Sequence, residues 1–332
     1  MLNLDLPWLQ ATLDQLPPAL PAALLLSGQK GLGQEDLALG LAQARLCEGS
    51  PKVGKGCGEC PSCHLFAAGN HPDFRLLAPI EETGEEGEGQ PGAKKASLYI
   101  RIPAVRELAD LAGMTPHRGV ARAVVISPAE SLYPNAANAL LKILEEPPAN
   151  MHFLLVSHEP HRLPRTILSR CFRLPIAVPT AEQTRDWLRG KAGSHGDLAL
   201  AMAAYAPVAA VALAQDDNFW ARRRTLMNEL CGEGDPLALA QSAEALEPEI
   251  LADLLQMCCH DLLAARHGIP VRYHRDYEQR IQALSQRWDA QGVARWQDEV
   301  LQFARNAYHP LNRRLALEAL FAALPSAQNQ HV

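Results

Sequence analysis

"AALLLSGQKGLGQED", residues 22–36, joins a short apolar run to a glycine-rich turn. Gly28 and Gly33 have the glycine spacing of the phosphate-binding loop G-x-x-x-x-G-K-[ST], which connects a strand to a helix. Gln34 stands in the lysine position of that loop, and Glu35 stands in its Ser/Thr position. The stretch therefore predicts the backbone of a nucleotide-binding fold without the two side chains that bind phosphate and magnesium.

The charges within this loop also oppose nucleotide binding. Lys30 lies beside the second glycine, Gly31, too early in the loop to replace the missing lysine. Glu35 would place a carboxylate where Mg-ATP needs a hydroxyl ligand. Two like charges about 4 Å apart repel each other by about 4 kcal/mol at an effective dielectric constant near 20. A strand-to-helix turn unrelated to nucleotides is the alternative interpretation of the glycine pattern alone.

A second position lacks the residues of an ATPase. The run "RAVVIS", residues 122–127, has the composition of a buried strand. A magnesium-holding strand would end in acidic residues, but Ser127 and Pro128 occupy those positions and Glu130 follows too late. The sequence therefore predicts that this chain does not hydrolyse ATP.

Strands and helices alternate through the first half of the chain, which predicts a parallel sheet with helices on both faces. The predicted strands are Ala22–Ser27, Asp73–Leu77, Ala121–Ser127, Met151–Ser157 and Cys171–Pro175, and the helices are Glu35–Leu46, Ile102–Ala112 and Asn135–Glu145. A Glu- and Gly-rich insertion, residues 81–97, is predicted to be a mobile surface loop.

The second half of the chain is helical in pattern. Thr180 is a predicted N-cap with Gln183 in the capping-box position, opening a small helical module. The last predicted helix lies in "LNRRLALEALFAAL", residues 311–324. We predict three domains: an α/β domain over residues 1–176, a helical domain over 177–214 and an all-α domain over 215–332.

Composition excludes some functions. Hydrophobic residues make up 48% of the chain and charged residues 20%, a normal balance for a globular protein. No apolar run is long enough to span a membrane, and the first ten residues lack a signal-peptide pattern, so we expect a cytoplasmic protein. The net charge of −6 indicates that DNA contact would need a local basic patch or partner subunits.

Four cysteines form the pattern C-x9-C-x2-C-x2-C: Cys47, Cys57, Cys60 and Cys63. This spacing is typical of a tetrahedral Zn²⁺ site. A disulfide framework or a redox pair is the alternative, but a cytoplasmic chain disfavours disulfides. Four thiolates would close the coordination sphere, so the predicted zinc is structural and His64 is not a ligand. The remaining cysteines, predicted to be packed side chains, are Cys171, Cys231, Cys258 and Cys259.

Three further motifs carry a family resemblance: "NAANALLKILEEPP" (135–148), "HFLLVSHEP" (152–160) and "RTILSRC" (165–171). With the cysteine insertion and "GNHPD" (69–73), they resemble the clamp-loader branch of the AAA+ proteins, and within it the delta-prime family of the bacterial DNA polymerase III clamp loader. The resemblance implies an AAA+ parallel sheet with a zinc-binding insertion, a helical lid and an α-helical collar. The degenerate loop resembles delta-prime and not the gamma/tau motor subunits.

The resemblance also implies site residues. Ser169-Arg170-Cys171 is similar to the family's arginine-finger motif, which makes Arg170 the candidate finger, inserted in trans into a neighbour's nucleotide site, and Ser169 its motif neighbour. Ser157 corresponds to a polar residue that senses phosphate in active relatives. The sensor arginine that active relatives carry in the lid is missing from residues 204–215. Lys142 and Glu145 could face DNA or a neighbouring subunit.

The implied function is that of a non-hydrolysing clamp-loader subunit that helps to load the sliding clamp onto primed DNA. Its implied partners are gamma/tau ATPase subunits, the delta subunit, primed DNA within the complex and, weakly, the clamp; its implied cofactor is structural zinc, without ATP in its own site. Two alternatives stay open: an active P-loop ATPase, and a zinc-ribbon protein that binds nucleic acid.

Overall fold

The computed structural model describes residues 6–51, 54–79, 81–82, 95–96, 99–112, 114–118, 121–232, 235–306 and 312–325. The chain forms two compact units, residues 1–187 and residues 188–332. The finer division into three domains stays a prediction. Within the described residues, no helix is both long and apolar enough to cross a membrane.

The first unit alternates strands and helices, as predicted. Its helices are α1 Pro7–Leu13, α2 Gln34–Leu46, α3 Pro61–Ala67, α4 Ile102–Ala112, α5 Pro134–Glu145, α6 Arg165–Leu168 and α7 Ala181–Leu188. Its strands are β1 Ala23–Ser27, β2 Phe74–Leu77, β3 Glu81–Glu82, β4 Lys95–Ala96, β5 Arg122–Ile126, β6 Met151–Ser157 and β7 Phe172–Pro175. Each of the five predicted strands lies within a residue of its predicted bounds, which confirms the α/β class.

Five parallel strands form one sheet in the order β2-β5-β6-β1-β7. The central strands β1, β5 and β6 are buried along almost their whole length, whereas the edge strands β2 and β7 are partly exposed. Such continuous burial is expected when helices cover both faces of a parallel sheet. It explains why the central strands are runs of Leu, Val, Phe and Ala without polar alternation.

The two faces of the sheet are covered by different helices. Helices α4, α5 and α6 share a hydrophobic core with alternate residues of the strands, among them Leu25, Val124 and Phe153. Helix α2 packs against β1, β5 and β6, and we assign it to the opposite face because successive strand side chains point to opposite sides. The glycine-rich loop lies between β1 and α2, at the carboxyl end of the sheet.

The two ends of the acidic insertion correct the prediction of a loop over 81–97. Strands β3 and β4 pair antiparallel, with Glu81 opposite Ala96 and Glu82 opposite Lys95. The remainder of the predicted loop, residues 83–94 and 97, lies outside the described residues.

Local sequence signals fix two of the helices. In α5 the predicted apolar face is buried at Ala137, Leu140 and Leu144, and Leu141 is half-buried. At the start of α7, Gln183 N–H donates to Thr180 Oγ1 at 3.2 Å, and Thr180 N–H donates to Gln183 Oε1 at 3.0 Å. The reciprocal bonds confirm the predicted capping box.

All the regular structure among the described residues of the second unit is helical. Its helices are α8 Gly196–Met202, α9 Pro207–Ala214, α10 Asp217–Leu230, α11 Pro236–Ala243, α12 Pro248–Arg266, α13 Glu278–Arg287, α14 Ala290–Asn306 and α15 Arg313–Ala322. One hydrophobic core joins them, with Trp296 and Phe321 fully buried. Cys258 and Cys259 are buried in this core and Cys231 is half-buried, as is expected of packed side chains.

Candidate functional site

The phosphate-binding loop is filled by a side chain of the protein itself. Gln34 is buried, and its Oε1 accepts a hydrogen bond from Leu32 N–H at 3.2 Å. Its Nε2 donates to the Gln29 carbonyl at 2.6 Å. The amide of Gln34 therefore satisfies loop groups that would otherwise face a phosphate, including a backbone N–H of the kind that binds phosphate in a working loop.

Glu35 lies at the first turn of α2 and faces the end of β5. Its Oε1 accepts a hydrogen bond from Ser127 Oγ at 2.8 Å, and His158 Nε2 lies 3.7 Å from the same oxygen. The His158 imidazole lowers the pKa of Glu35, burial opposes this, and Ser127 lowers it further. Glu35 thus stays a carboxylate at neutral pH, in the position where Mg-ATP would need a hydroxyl.

The ends of β5 and β6 hold polar groups but no paired acids. The carboxylate of Glu130 accepts hydrogen bonds from the backbone N–H groups of His158 and Glu159, at 2.9 and 3.2 Å, so it is bonded to the loop that follows β6. Ser157 is fully buried, and its Oγ has no hydrogen-bond partner within the described part of the chain.

The N-terminal helix braces the same loop from outside. Trp8 Nε1 donates to the Leu32 carbonyl at 2.8 Å, and the Trp8 ring packs edge to face against Trp187 with 5.3 Å between centroids. Gly33 has φ +90°, and a Cβ there would overlap Leu6 Cδ1. Only glycine fits this backbone and this contact, so Leu6 and Trp8 hold the turn in one conformation.

The four predicted zinc ligands converge. The sulfur atoms of Cys47, Cys57, Cys60 and Cys63 all lie within 4.8 Å of one another. Two of the pairs are close: Cys47 Sγ lies 3.9 Å from Cys60 Sγ, and Cys57 Sγ lies 4.0 Å from Cys63 Sγ. A tetrahedral metal with Zn–S bonds of about 2.3 Å needs sulfurs about 3.8 Å apart, so the cluster fits such an ion.

Backbone and charge around the cluster favour a bound cation. Burial alone would raise the pKa of the Cys60 thiol, but hydrogen bonds from the backbone near Cys63 and Glu48 and from neighbouring thiols lower it to about 6. Burial and the thiols of Cys60 and Cys47 raise the pKa of Cys63 to about 12. A divalent cation held by the four sulfurs would favour their thiolate forms. His64 is exposed and is not among the four clustered residues.

A chain of hydrogen bonds connects the cysteine lobe to the sheet. Ser62 Oγ donates to the Leu46 carbonyl at 2.5 Å and lies 2.7 Å from His71 Nε2, while His71 Nδ1 accepts from Asp73 N–H at 3.1 Å. Because the Ser62 hydroxyl proton is donated to Leu46, His71 Nε2 must carry the proton of the bond between Ser62 and His71. Nδ1 accepts a hydrogen bond and therefore carries no proton, so the imidazole is neutral. Burial lowers the pKa of His71, in agreement with this.

Asp73, which ends the "GNHPD" motif, is buried and organises its surroundings. Its carboxylate accepts from His117 N–H at 2.8 Å, from Arg118 N–H at 2.9 Å and from Arg122 Nε at 3.4 Å. Burial would raise the pKa of the Asp73 carboxyl, but these donors lower it below its usual value. The motif therefore has a structural role that its sequence did not reveal.

We expect Asp73→Ala to lower the free energy of unfolding by about 3 kcal/mol, because it leaves the buried Arg122 guanidinium without its counter-charge. Urea denaturation at pH 7 measures this free energy of unfolding. The contribution depends on a lowered carboxyl pKa, so it is present at neutral pH and is lost as the pH falls below about 4. The control Glu159→Ala, in an exposed pair with Arg162, should cost less than about 1 kcal/mol. Equal losses for the two variants would contradict this role for Asp73.

Arg170 lies at the edge of the first unit, just after α6. Its side chain is 33% exposed, and its Nη2 lies 2.5 Å from Glu145 Oε1 at the end of α5. Nη1 donates to the Thr166 carbonyl at 3.0 Å. Ser169 Oγ donates to that same carbonyl at 3.0 Å, so the predicted motif neighbour helps to shape the turn that carries Arg170.

The predicted site residues thus fall into separate groups. The cysteines form one cluster, the residues from Gly28 to Glu35 form a closed loop, and Arg170 stands apart from both. Sequence reasoning missed the partner of Arg170, although it singled out Glu145 as a residue that projects outward. Lys142 is also exposed. The pairing joins residues 25 positions apart, for which the sequence has no local signal.

Comparison with known proteins identifies the family. The description "DNA polymerase III, delta subunit" matches residues 13–180, and "DNA polymerase III, delta subunit, C terminal" matches residues 217–324. "DNA polymerase III subunit delta'" of Escherichia coli (strain K12) is 34% identical over 273 residues, 79% of this chain and 77% of that one. The chain belongs to the delta-prime family of DNA polymerase III clamp-loader subunits.

A second delta-prime relative agrees with this family. The delta-prime subunit of Pseudomonas aeruginosa is 40% identical over 184 residues, 55% of this chain and 52% of its own length. A solved structure, the DNA polymerase III gamma subunit-related protein of Thermotoga maritima, is 19% identical with a TM-score of 0.49, over 96% of this chain and 97% of that one. As a member of the delta-prime family, the chain is a component of the clamp loader of DNA polymerase III.

Proposed function

We propose that this chain is a non-hydrolysing clamp-loader subunit that lends Arg170 to the nucleotide site of a neighbouring ATPase subunit. The observation that carries the proposal is the contrast between two sites of the first unit. The interior of the loop from Gly28 to Gly33 is filled by the Gln34 amide, whereas the Arg170 guanidinium is exposed at the edge.

The contacts around the loop support the absence of hydrolysis. A triphosphate would have to displace the Gln34 amide, which makes two hydrogen bonds inside the loop. It would then meet the carboxylate of Glu35 without a lysine to neutralise its oxygens. At the end of β5 itself the chain carries Ser127 in place of an acidic residue, and the Ser127 hydroxyl donates to Glu35. Three requirements of phosphoryl transfer are therefore unmet at this loop: an open phosphate site, a lysine and an acidic residue at the end of β5.

The exposure of Arg170 supports catalysis in trans. An arginine that enters a neighbour's site stabilises the charge that develops on the transferring phosphoryl group. The guanidinium has five N–H donors, and its contacts to Glu145 and Thr166 use two of them. The remaining donors can reach phosphoryl oxygens supplied by another subunit.

The metal proposed for the cysteine cluster is Zn²⁺. Four sulfur donors at tetrahedral spacing suit zinc, and they leave no open position for water or substrate, so the ion has a structural role. Cys47, Cys57, Cys60 and Cys63 would hold it between the end of α2 and the start of α3. When bound, zinc supplies cross-linking of this lobe, and Ser62 and His71 transmit that order to the sheet.

We further propose the partners expected of such a subunit: gamma/tau ATPase subunits and a delta subunit, with the C-terminal helices α10–α15 forming the oligomerising collar. Within this complex the chain would help to place the sliding clamp on primed DNA, and its contact with the clamp itself would be weak. The net charge of −6 supports DNA contact through the complex and not through the isolated chain.

Two measurements test the proposal. In isothermal titration, the isolated chain is expected to bind Mg-ATP with a Kd above about 1 mM, because the loop is filled and carries a repelling carboxylate. In reconstitution, adding the chain to gamma/tau and delta subunits should raise DNA- and clamp-stimulated ATP hydrolysis. Micromolar binding with turnover by the isolated chain would instead support an active ATPase. Strong salt-dependent DNA binding by the chain alone would support a zinc-ribbon nucleic-acid-binding protein.

A further inference from the structure

The guanidinium of Arg170 is held at two points by its own chain. Its Nη2 pairs with Glu145 Oε1 at 2.5 Å, and its Nη1 donates to the Thr166 carbonyl at 3.0 Å. One contact comes from the end of α5 and the other from α6. Contacts on both terminal nitrogens fix the orientation of the planar guanidinium, which a single contact would leave free to rotate.

Packing holds the backbone beside both contacts of Arg170. Each of the three residues that form these contacts has a chain neighbour in the same hydrophobic core. The buried neighbours are Leu144, next to Glu145; Ile167, next to Thr166; and Cys171, next to Arg170. Arg170 N–H also donates to the Ile167 carbonyl at 3.1 Å. The backbone on each side of the ion pair is therefore fixed by packing, although the two charged groups themselves reach solvent.

The position of Glu145 opposes a purely stabilising role. Glu145 is the last residue of α5, and Glu146 follows it at the C-cap. A carboxylate at this end of a helix is unfavourable, because it adds negative charge to the negative end of the helix dipole. The pairing with Arg170 compensates for that cost locally. The arrangement benefits the placement of Arg170 more than it benefits the helix.

We propose that Glu145 is a positioning residue for Arg170, holding the guanidinium in the orientation in which it enters the neighbouring nucleotide site. This inference rests on the function proposed for Arg170. The contacts with Glu145 and Thr166 together leave three of the five guanidinium N–H groups available for phosphoryl oxygens. Glu145 is 52% exposed, so solvent screens its repulsion of a phosphate. The direct contact at 2.5 Å still sets the orientation of the Arg170 guanidinium.

The test uses the complete clamp loader reconstituted with variants of this chain. Glu145→Ala should lower ATP turnover at saturating ATP by about 10-fold to 100-fold at the adjoining site, the loss expected from a misplaced catalytic group. The KM for ATP should stay unchanged. Glu145→Gln should recover most of the rate, because its amide oxygen can still accept from Arg170 Nη2. The matched control Glu146→Ala, one residue later at the C-cap, should hydrolyse at the native rate.

A double variant separates this inference from the proposed function. In an Arg170→Ala background, adding Glu145→Ala should cause no further loss. If the complex with Arg170→Ala alone hydrolyses ATP normally, the assignment of Arg170 as the arginine finger is wrong. If Arg170→Ala is slow while Glu145→Ala is normal, the finger stands and the positioning role is overturned. A full further loss in the double variant would show that Glu145 acts independently of Arg170, which also overturns it. Thermal melting of each isolated variant excludes unfolding as the cause.

Discussion

A clamp loader that contains Arg170→Ala in this chain is expected to hydrolyse ATP at the adjoining site about 10³-fold more slowly than the native complex. The expected magnitude is the low end of what arginine fingers contribute to phosphoryl transfer. Assembly should be normal, because Arg170 is partly exposed and its removal leaves no buried charge unpaired. Glu145, its partner, is more than half exposed and can be solvated by water.

The measurement requires that one site be observed alone. Turnover is followed in a complex in which only the ATPase subunit next to this chain can bind ATP, since other sites would mask the loss. Arg165→Ala is the matched control, because Arg165 is an exposed arginine at the start of the same short helix. Arg170→Lys should remain slow, because an ammonium cannot reproduce the planar donor geometry. Native turnover by Arg170→Ala in this assay would contradict catalysis in trans.

Loss of the metal should disrupt the cysteine lobe. The purified chain is expected to contain one zinc ion, and Cys60→Ser should release it. Removing a ligand should weaken zinc affinity by more than the roughly 10–100-fold lost when a residue that only hydrogen-bonds to a ligand is changed. Binding of a structural zinc ion is itself folding free energy, so the lobe around α3 should unfold when the ion is removed. The effect should reach β2, because Ser62 and His71 connect the lobe to Asp73.

Metal content, hydrogen exchange and thiol titration test this together. Elemental analysis measures zinc per chain, and amide exchange should accelerate over α3 after chelation. In denaturant with a chelator, all eight cysteines should react as free thiols, in contrast to a disulfide framework. Cys231→Ser, outside the cluster, and His64→Ala, next to it, should retain the metal. A metal-free chain with full protection over α3 would contradict the structural zinc.

The sequence predicted the architecture of the first unit closely, because its signals there are local. Runs such as "ALLLS" and "MHFLLVS" are long enough to be buried strands, and Pro147 and Pro148 after α5 mark the end of a helix. The cysteine spacing likewise predicted a cluster that the structure brings together. The paired ends of the acidic insertion were missed, because two-residue strands carry no periodic pattern.

The details of the sites depended on contacts that sequence cannot show. Gln34 was recognised as a substitution, but its rotamer decides whether the loop is merely uncharged or physically filled. The Arg170–Glu145 pair and the contact between Trp8 and the Leu32 carbonyl join residues distant in sequence. Their geometry follows from how the helices pack on the sheet, and packing is a property of the whole unit.

The bracing of the glycine loop has a consequence for how this chain could change. A pocket with the residues of a working phosphate-binding loop would need a lysine at Gln34, a hydroxyl at Glu35 and an acidic side chain at Ser127, while Leu6 and Trp8 continue to clamp the turn. Each replacement alone breaks an existing bond without creating a usable site. We therefore expect each single replacement to lower the stability of the loop without producing a nucleotide site.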